Sequence, residues 1–459
     1  MRRVLAIVVA PILLGGCVEK PLDMAPVKPP ARKPIPTTRP ATQPLKAPPK
    51  IEPRFPPPEF TDHVLPQTDQ PAQRAILYEY IDVAVLAAAL AVASWLALRR
   101  QSRNGMVALT IFSLAYFGFY REGCICPVGA IQNVTLAVFD GGYSIPIFVA
   151  AIFVLPLGFT LFFGRSFCAG VCPLGAVQDL VLIHPVRVPQ WLAGSLRVVA
   201  YVYLGGAVTL AACGAGFIIC RYDPFVPIFR LGGRLEMVVL GVCFLAAGLF
   251  VGRPYCRFFC PYGVLLGWVS KVSKWRVSIT PDKCIQCGLC EESCPFGAIR
   301  RPNADEAPSR LQGKGVLASM IAVLPVLAGA GAGGGYLFGP VMSRAHATVQ
   351  LSARIEQEDS GLVTGTTDES DAFRITARTG KELHKEAAAI KNDFLTGGAL
   401  FGGFIGLVIG CMLVRLSVRR TRTDYVADRT TCLACGRCFQ YCPVHRKPQA
   451  KLKQQAEAQ

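Results

Sequence analysis

The sequence predicts a mainly α-helical fold, a polytopic membrane bundle of about seven spans. Two observations predict the bundle. The chain of 459 residues is 52% apolar and only 17% charged, which is less charge than a soluble protein of this size carries. Its apolar residues also gather in stretches that cross or nearly cross a bilayer. A third observation adds a smaller module. Cys284, Cys287, Cys290 and Cys294 precede Pro295, and Cys432, Cys435, Cys438 and Cys442 precede Pro443. Both read C-x2-C-x2-C-x3-C-P, the thiolate run that wraps a cubane [4Fe-4S] cluster. The expected fold is therefore a membrane helical bundle with a cytoplasmic two-cluster ferredoxin-like module assembled from two separated sequence segments.

In chain order, residues 1–17 form a signal-like segment: Arg2 and Arg3, a short apolar core, then Leu14-Gly15-Gly16-Cys17. That ending resembles a lipobox and makes Cys17 a lipidation candidate, the alternative being a plain export signal. Residues 18–75 are dense in Pro, Lys, Thr and Ala and read as a disordered tether, because such a stretch cannot bury a core. Residues 76–275 form the membrane domain with its repeated Cys-Pro motifs, and 276–310 hold the first ferredoxin half. A span at 311–344, an extracytoplasmic loop at 345–394 and a span at 395–418 follow, and 419–459 hold the second half and tail.

The candidate spans are about 78–98, 105–120, 145–163, 196–219, 236–251, 315–339 and 397–417. Arg99, Arg100 and Arg103 follow the first, and Arg415, Arg419, Arg420 and Arg422 follow the last. Basic flanks mark the inner face. The expected topology is thus a bacterial inner membrane protein with its N-terminus outside and its ferredoxin module cytoplasmic. The last two spans carry Gly331, Gly335, Gly339 and Gly398, Gly402, Gly406, Gly410 at every fourth position. That spacing permits close backbone approach, either to each other or to a partner.

The net charge of +18 does not point to nucleic acid. Much of it flanks apolar segments, and no aromatic–basic pattern accompanies it. Nineteen cysteines could suggest disulfides, yet most lie in tight clusters that suit metal ligation. In two-cluster ferredoxins the fourth cysteine of each run serves the other cluster. The expected sets are Cys284, Cys287, Cys290 with Cys442, and Cys432, Cys435, Cys438 with Cys294. Paired zinc sites fit the spacings and the trailing prolines poorly.

Cys126-Pro-Val-Gly-Ala-Ile-Gln-Asn recurs from Cys172 as Cys-Pro-Leu-Gly-Ala-Val-Gln-Asp, and from Cys260 as Cys-Pro-Tyr-Gly. Each has a preceding cysteine, namely Cys124, Cys168 or Cys256. Proline suits the first helical position, and the helix N-terminus then favours thiolate or an anionic cluster. The reading groups Cys124, Cys126, Cys168 and Cys172 at one membrane site. It groups Cys220, Cys256 and Cys260 at another, with Cys213 the nearest fourth candidate. One or two further intramembrane iron–sulfur clusters would result; redox-active thiol pairs, metal transfer or plain packing are the competing readings. Arg165, Arg253 and Arg257 stand beside these cysteines, either to offset their charge or to anchor the inner face. Thr364-Gly-Thr-Thr367 faintly resembles a flavin-attachment motif in a loop too short for such a domain. A flavin on a separate extracytoplasmic partner is the better expectation.

These motifs resemble the NosR/NapH family of membrane polyferredoxins. The likeness rests on Gly123-Cys-Ile-Cys-Pro, Phe167-Cys-Ala-Gly-Val-Cys-Pro-Leu-Gly, Tyr255-Cys-Arg-Phe-Phe-Cys-Pro-Tyr-Gly and the two ferredoxin runs, over about residues 75–445. It implies electron transfer between a cytoplasmic or quinone-side donor and an extracytoplasmic redox partner. The large flavin-bearing N-terminal domain of NosR is replaced here by the Pro-rich tether. No catalytic residues are expected; the chain reads as an electron-transfer subunit rather than a stand-alone enzyme. A membrane metal reductase or assembly factor, and a redox-sensing regulator, are the alternatives.

Overall fold

The computed structural model describes residues 75–123, 125–279, 284–303, 310–376, 378–418 and 421–444. The signal-like segment with Cys17, nearly all of the tether, and Cys124 lie outside the described residues. What is described is mostly helical.

Helix α1 (Ile76–Trp95) continues as a π-helix over Leu96–Arg100. Helix α2 (Arg103–Ser113) starts at Ser102, whose hydroxyl accepts from the Gly105 amide, and likewise turns into a π-helix at Leu114–Tyr120. Where these two helices meet at one end, Asp82 is fully buried, accepts from Tyr116 Oη at 2.8 Å and pairs with the Arg121 guanidinium, Nε lying 2.8 Å away. Then come α3 (Pro127–Phe139), α4 (Ile147–Phe163), the short α5 (Ser166–Gly170) and α6 (Pro173–Leu180). Helix α7 (Gln190–Ala212) leads to two turns of helix, α8 (Ile218–Arg221) and α9 (Val226–Phe229). The membrane domain closes with α10 (Leu235–Gly248), α11 (Pro254–Phe258) and α12 (Pro261–Ser270). One continuous core joins them through Leu90, Ala93, Phe117, Phe167, Tyr255 and Tyr262.

Among the described residues, four helices are long and apolar enough to cross a membrane: Ile76–Arg100, Trp191–Ala212, Gly315–Ser343 and Gly380–Leu416. The other three of the seven candidate spans are shorter or divided. Residues 105–120 are divided between an α- and a π-segment. Helix α4 has 17 residues with Pro156 inside it, and α10 has 14. At 1.5 Å per residue, 17 residues reach about 25 Å, short of the ~30 Å apolar slab.

The last two long helices are α14 (Arg310–Ser343) and α17 (Gly380–Ser417), and they pack on each other. A Cβ added at Gly335 would run into the Gly398 carbonyl, and one at Gly402 into the Gly331 carbonyl. The two glycine stripes therefore face each other, which decides between the alternatives left open above. Between them lie α15 (Ala347–Asp359) and α16 (Asp368–Ile375). Thr367 caps α16 reciprocally with Ser370, and Thr366 Oγ1 donates to Asp371 at 2.9 Å. The Thr364–Thr367 segment thus reads as a helix start.

The two ferredoxin runs meet in space. Strand β1 (Ile299–Arg300) pairs antiparallel with β2 (Val426–Ala427), Ile299 opposite Ala427. Asp428 N donates to Ala298 O at 2.7 Å, and Asn303 N to Arg422 O at 2.9 Å. Helix α13 (Leu289–Glu292) packs on α18 (Arg437–Tyr441).

Candidate iron–sulfur centres

The two runs fold alike. Gln286 and Gly288 in the first, and Ala434 and Gly436 in the second, all have positive φ, between 53° and 78°. These left-handed residues flank the second cysteine of each run and curl the chain around it. Backbone amides then point at sulfur: Ala434 toward Cys432, Arg437 toward Cys435 and Glu291 toward Cys290. Such N–H groups favour the anionic form of a thiolate.

Cys294 leaves its own run. Its amide-side neighbour Ala298 donates to its Sγ at 3.4 Å, and it packs with Cys432 and Cys435 against Phe296, Ala298 and Leu433. It is also an electrostatic neighbour of Cys432, Cys435 and Cys438. Cys290 has Cys284 and Cys287 as its neighbours. Cys442 is half-buried at the end of α18. Burial pushes the Cys432 thiol up to about 12, and raises Cys435 and Cys438 as well. Several bare thiolates here would be costly, so a metal-borne positive charge suits the donor set.

The membrane domain builds a second centre. Cys168 lies on α5, and Cys172 stands just before Pro173 at the start of α6. Cys256 lies on α11, and Cys260 stands just before Pro261 at the start of α12. All four line one pocket with Val128, Phe167, Tyr262 and Leu266. The sequence reading had divided these pairs between two sites; the structure puts them around one. The two segments share a longer pattern, R-x2-C-x3-C-P-x-G, from Arg165 to Gly175 and from Arg253 to Gly263. Each glycine makes room for the other segment's arginine. A Cβ on Gly175 would lie 3.0 Å from Arg253 Nη1, and one on Gly263 3.4 Å from Arg165 Nη2.

Three donors aim at these sulfurs. Gln178 Nε2 donates to Cys256 Sγ at 3.3 Å, Gly263 N to Cys260 Sγ at 3.3 Å, and Arg165 Nη2 to Cys168 Sγ at 3.7 Å. Among the described residues, no group of three His, Cys, Asp or Glu is gathered tightly enough to hold a single metal ion. Four thiols lining one mostly apolar pocket instead match the donor number that a cubane cluster takes.

The other sequence candidates lie elsewhere. Cys126 opens α3, and Cys220 lies against that helix, where a Cβ on Gly129 would be 3.0 Å from its Sγ. Cys213 donates to Asp393 O at 3.9 Å, on the face toward α17. It is not among the pocket residues. Cys243 and Cys411 are exposed on their helices.

The arginines join the two centres. Arg253 is 1% exposed and stacks on Phe296 at 5.7 Å. Its partner Asp179 also binds Arg103 at 2.7 Å and Arg437 at 3.3 Å. Burial alone would raise the Asp179 carboxyl, but Arg253, Arg103 and Arg437 outweigh it and hold it at about 2. Arg103 Nη1 donates to Cys435 O at 3.1 Å, and Arg165 Nη1 to Thr430 O at 2.8 Å. Cys168 packs against both hydrophobic clusters, that of the membrane domain and that of the runs. Arg253 is thus a buried clamp and not a lipid-face anchor. Sequence reasoning missed Asp179 and Gln178, although both stand in the repeated phrase after Cys172.

Comparison with known proteins agrees with this chemistry. One family profile, described as a 4Fe-4S binding domain, matches residues 277–300. A second with the same description matches 145–189 and 234–280, the segments that carry the four pocket cysteines. The chain is 28% identical over 189 residues to YccM of Escherichia coli, a protein named for electron transport; the match covers 37% of this chain and 52% of YccM. It is 30% identical to NirI of Paracoccus denitrificans, over 44% of this chain and 31% of NirI. It is 28% identical to the regulatory protein NosR of Pseudomonas aeruginosa, over 46% of this chain and 31% of NosR. The chain therefore spans about half or less of the length of these relatives. No solved structure matches it. The relatives and profiles agree with the likeness of the motifs to the NosR/NapH-type membrane ferredoxins.

Proposed function

We propose that this membrane ferredoxin relays single electrons through a row of iron–sulfur clusters. The row begins at the two ferredoxin runs, passes through the Cys168–Cys172–Cys256–Cys260 pocket, and ends toward the 345–394 segment. The observation that carries this reading is Cys168, which packs on the pocket side and on the side of Cys294, Cys432 and Cys435 at once. Clusters at these sites would supply one-electron carriers, and a slab ~30 Å thick calls for an intermediate stop.

The runs would ligate crosswise, Cys284, Cys287 and Cys290 with Cys442, and Cys432, Cys435 and Cys438 with Cys294. The grouping of Cys294 with the second run supports this. The ferredoxin module would face the cytoplasm of a bacterial inner membrane, with the N-terminus and residues 345–394 outside. Arg415 and its basic neighbours support that orientation. The partner would be an extracytoplasmic redox protein, a flavoprotein by the family likeness. Cys17 would be lipidated after removal of residues 1–16.

Iron quantitation and EPR on anaerobically purified protein test the relay. It requires more than the about eight irons that two cubes account for. About eight irons, with no change on replacing Cys256 and Cys260 by Ser, removes the membrane stop and the relay with it.

A further inference from the structure

The pocket has a counterpart that ends differently. Gln178 follows Cys172-Pro-Leu-Gly, and its Oε1 accepts from the amide of Tyr255, the residue before Cys256, at 3.0 Å. Gln132 stands at the same place after Cys126-Pro-Val-Gly. Its Oε1 accepts from the amide of Ile219, the residue before Cys220, at 2.8 Å. Two helix-opening Cys-Pro units thus hold two cysteine turns by the same hydrogen bond. The turn after Cys256 ends in Cys260-Pro261. The turn after Cys220 is one residue shorter and ends in Asp223-Pro224. The cap is shared as well. Cys260 Sγ accepts from Gly263 N at 3.3 Å, and Asp223 Oδ1 accepts from Phe225 N at 2.8 Å and Val226 N at 3.3 Å.

Asp223 is 4% exposed. Its described surroundings supply backbone amides and no cationic side chain. Cys126, Tyr203 and Tyr255 are its electrostatic neighbours. The hydroxyls of Tyr203 and Tyr255 are buried and, among the described residues, have no hydrogen-bond partner; Tyr255 is 3% exposed. A buried carboxylate with thiols and unpartnered hydroxyls around it is costly unless it is protonated or a positive body sits among them.

We propose that Cys126, Cys220 and Asp223 are ligands of a second intramembrane iron–sulfur cluster, Asp223 standing where Cys260 stands in the first. Cys124 lies outside the described residues and is not counted. This inference rests on the relay reading and adds its next stop. The step is a one-electron transfer in which the first centre is oxidised and the second reduced, with no bond made or broken. Cys220 is exposed, so one edge of the site reaches the molecular surface. The nearby Gly214 lies against His346 of the polar segment, a Cβ there being 3.4 Å from Nε2. The electron would therefore leave on that side.

The test is iron per chain and EPR of the full-length, anaerobically purified protein. Two ferredoxin cubes and two membrane cubes give about sixteen irons. Asp223→Asn keeps the capping oxygen and removes the charge; it is expected to fall to about twelve irons with loss of one EPR signal. Asp223→Cys is expected to regain about sixteen with altered g values, since sulfur replaces oxygen at one iron. Parent protein at about twelve irons, unchanged in Asp223→Asn, overturns this inference and leaves the first pocket standing. About eight overturns both. Equal iron loss in Asp223→Asn and Asp223→Cys makes Asp223 a turn-holding residue and overturns its role as ligand.

Discussion

The ferredoxin runs and the membrane pocket collect four thiols in opposite ways. In a run, three cysteines come from seven consecutive positions (Cys284 to Cys290, Cys432 to Cys438). Local backbone does the work there: the left-handed residues Gln286, Gly288, Ala434 and Gly436 shape each loop. In the pocket, two pairs come from segments more than eighty residues apart (Cys172 and Cys256). They meet where Arg253, Asp179 and Gln178 lock the segments together. A locally built site survives remote damage; a site built by tertiary packing does not.

The comparison is broken most directly at the pocket sulfurs. Cys256→Ser with Cys260→Ser is expected to remove about four irons per chain and leave the signals of the runs in place. Iron analysis with EPR checks it, and loss of all iron would mean the two centres are not separately built. The next effect is at Asp179, the carboxylate shared by Arg103, Arg253 and Arg437. Asp179→Asn leaves three arginines without their counter-charge and should cost about 3–5 kcal/mol. Thermal unfolding followed by cluster absorbance should show the second run releasing first, because Arg103 and Arg437 tie that run to α6.

A smaller change sharpens the electronic side. Gln178→Leu removes the amide aimed at Cys256 Sγ and should lower the potential of the pocket centre. A tenfold change in the one-electron equilibrium corresponds to about 60 mV. Redox titration reads it, and the potentials of the runs should not move. The smallest effect lies outside both centres. Gly335→Ala places a methyl against the Gly398 carbonyl and should cost about 1–2 kcal/mol in the α14–α17 hairpin. Hydrogen exchange in that hairpin should rise while iron content stays constant.

The matching loop shapes of the two runs and the Cys-Pro helix starts were legible because their signals are local: fixed spacing, a trailing proline, a helix that opens on it. The helical character and the glycine stripes followed from period alone, but that the stripes face each other did not. The pairing of Cys168 and Cys172 with Cys256 and Cys260 was not legible. Two copies of one motif do not state whether they pair with each other or with a third, and that choice is made by buried contacts such as Arg253 against Gly175. The unequal lengths of the spans were hidden for a related reason. Hydropathy marks residues 105–120 and 145–163 as apolar but does not register a π-segment at Leu114–Tyr120 or the 17-residue length of α4. Asp223 was hidden because the residue before that proline is not cysteine, although Gln132 repeats the spacing of Gln178.

The most direct test is potentiometric EPR of the intact anaerobic protein beside its Cys256→Ser/Cys260→Ser variant. The account predicts that the parent carries a membrane signal, magnetically coupled to the cluster of Cys432, Cys435, Cys438 and Cys294, which vanishes with its coupling in the variant. Superimposable spectra from the two proteins at every potential would contradict it.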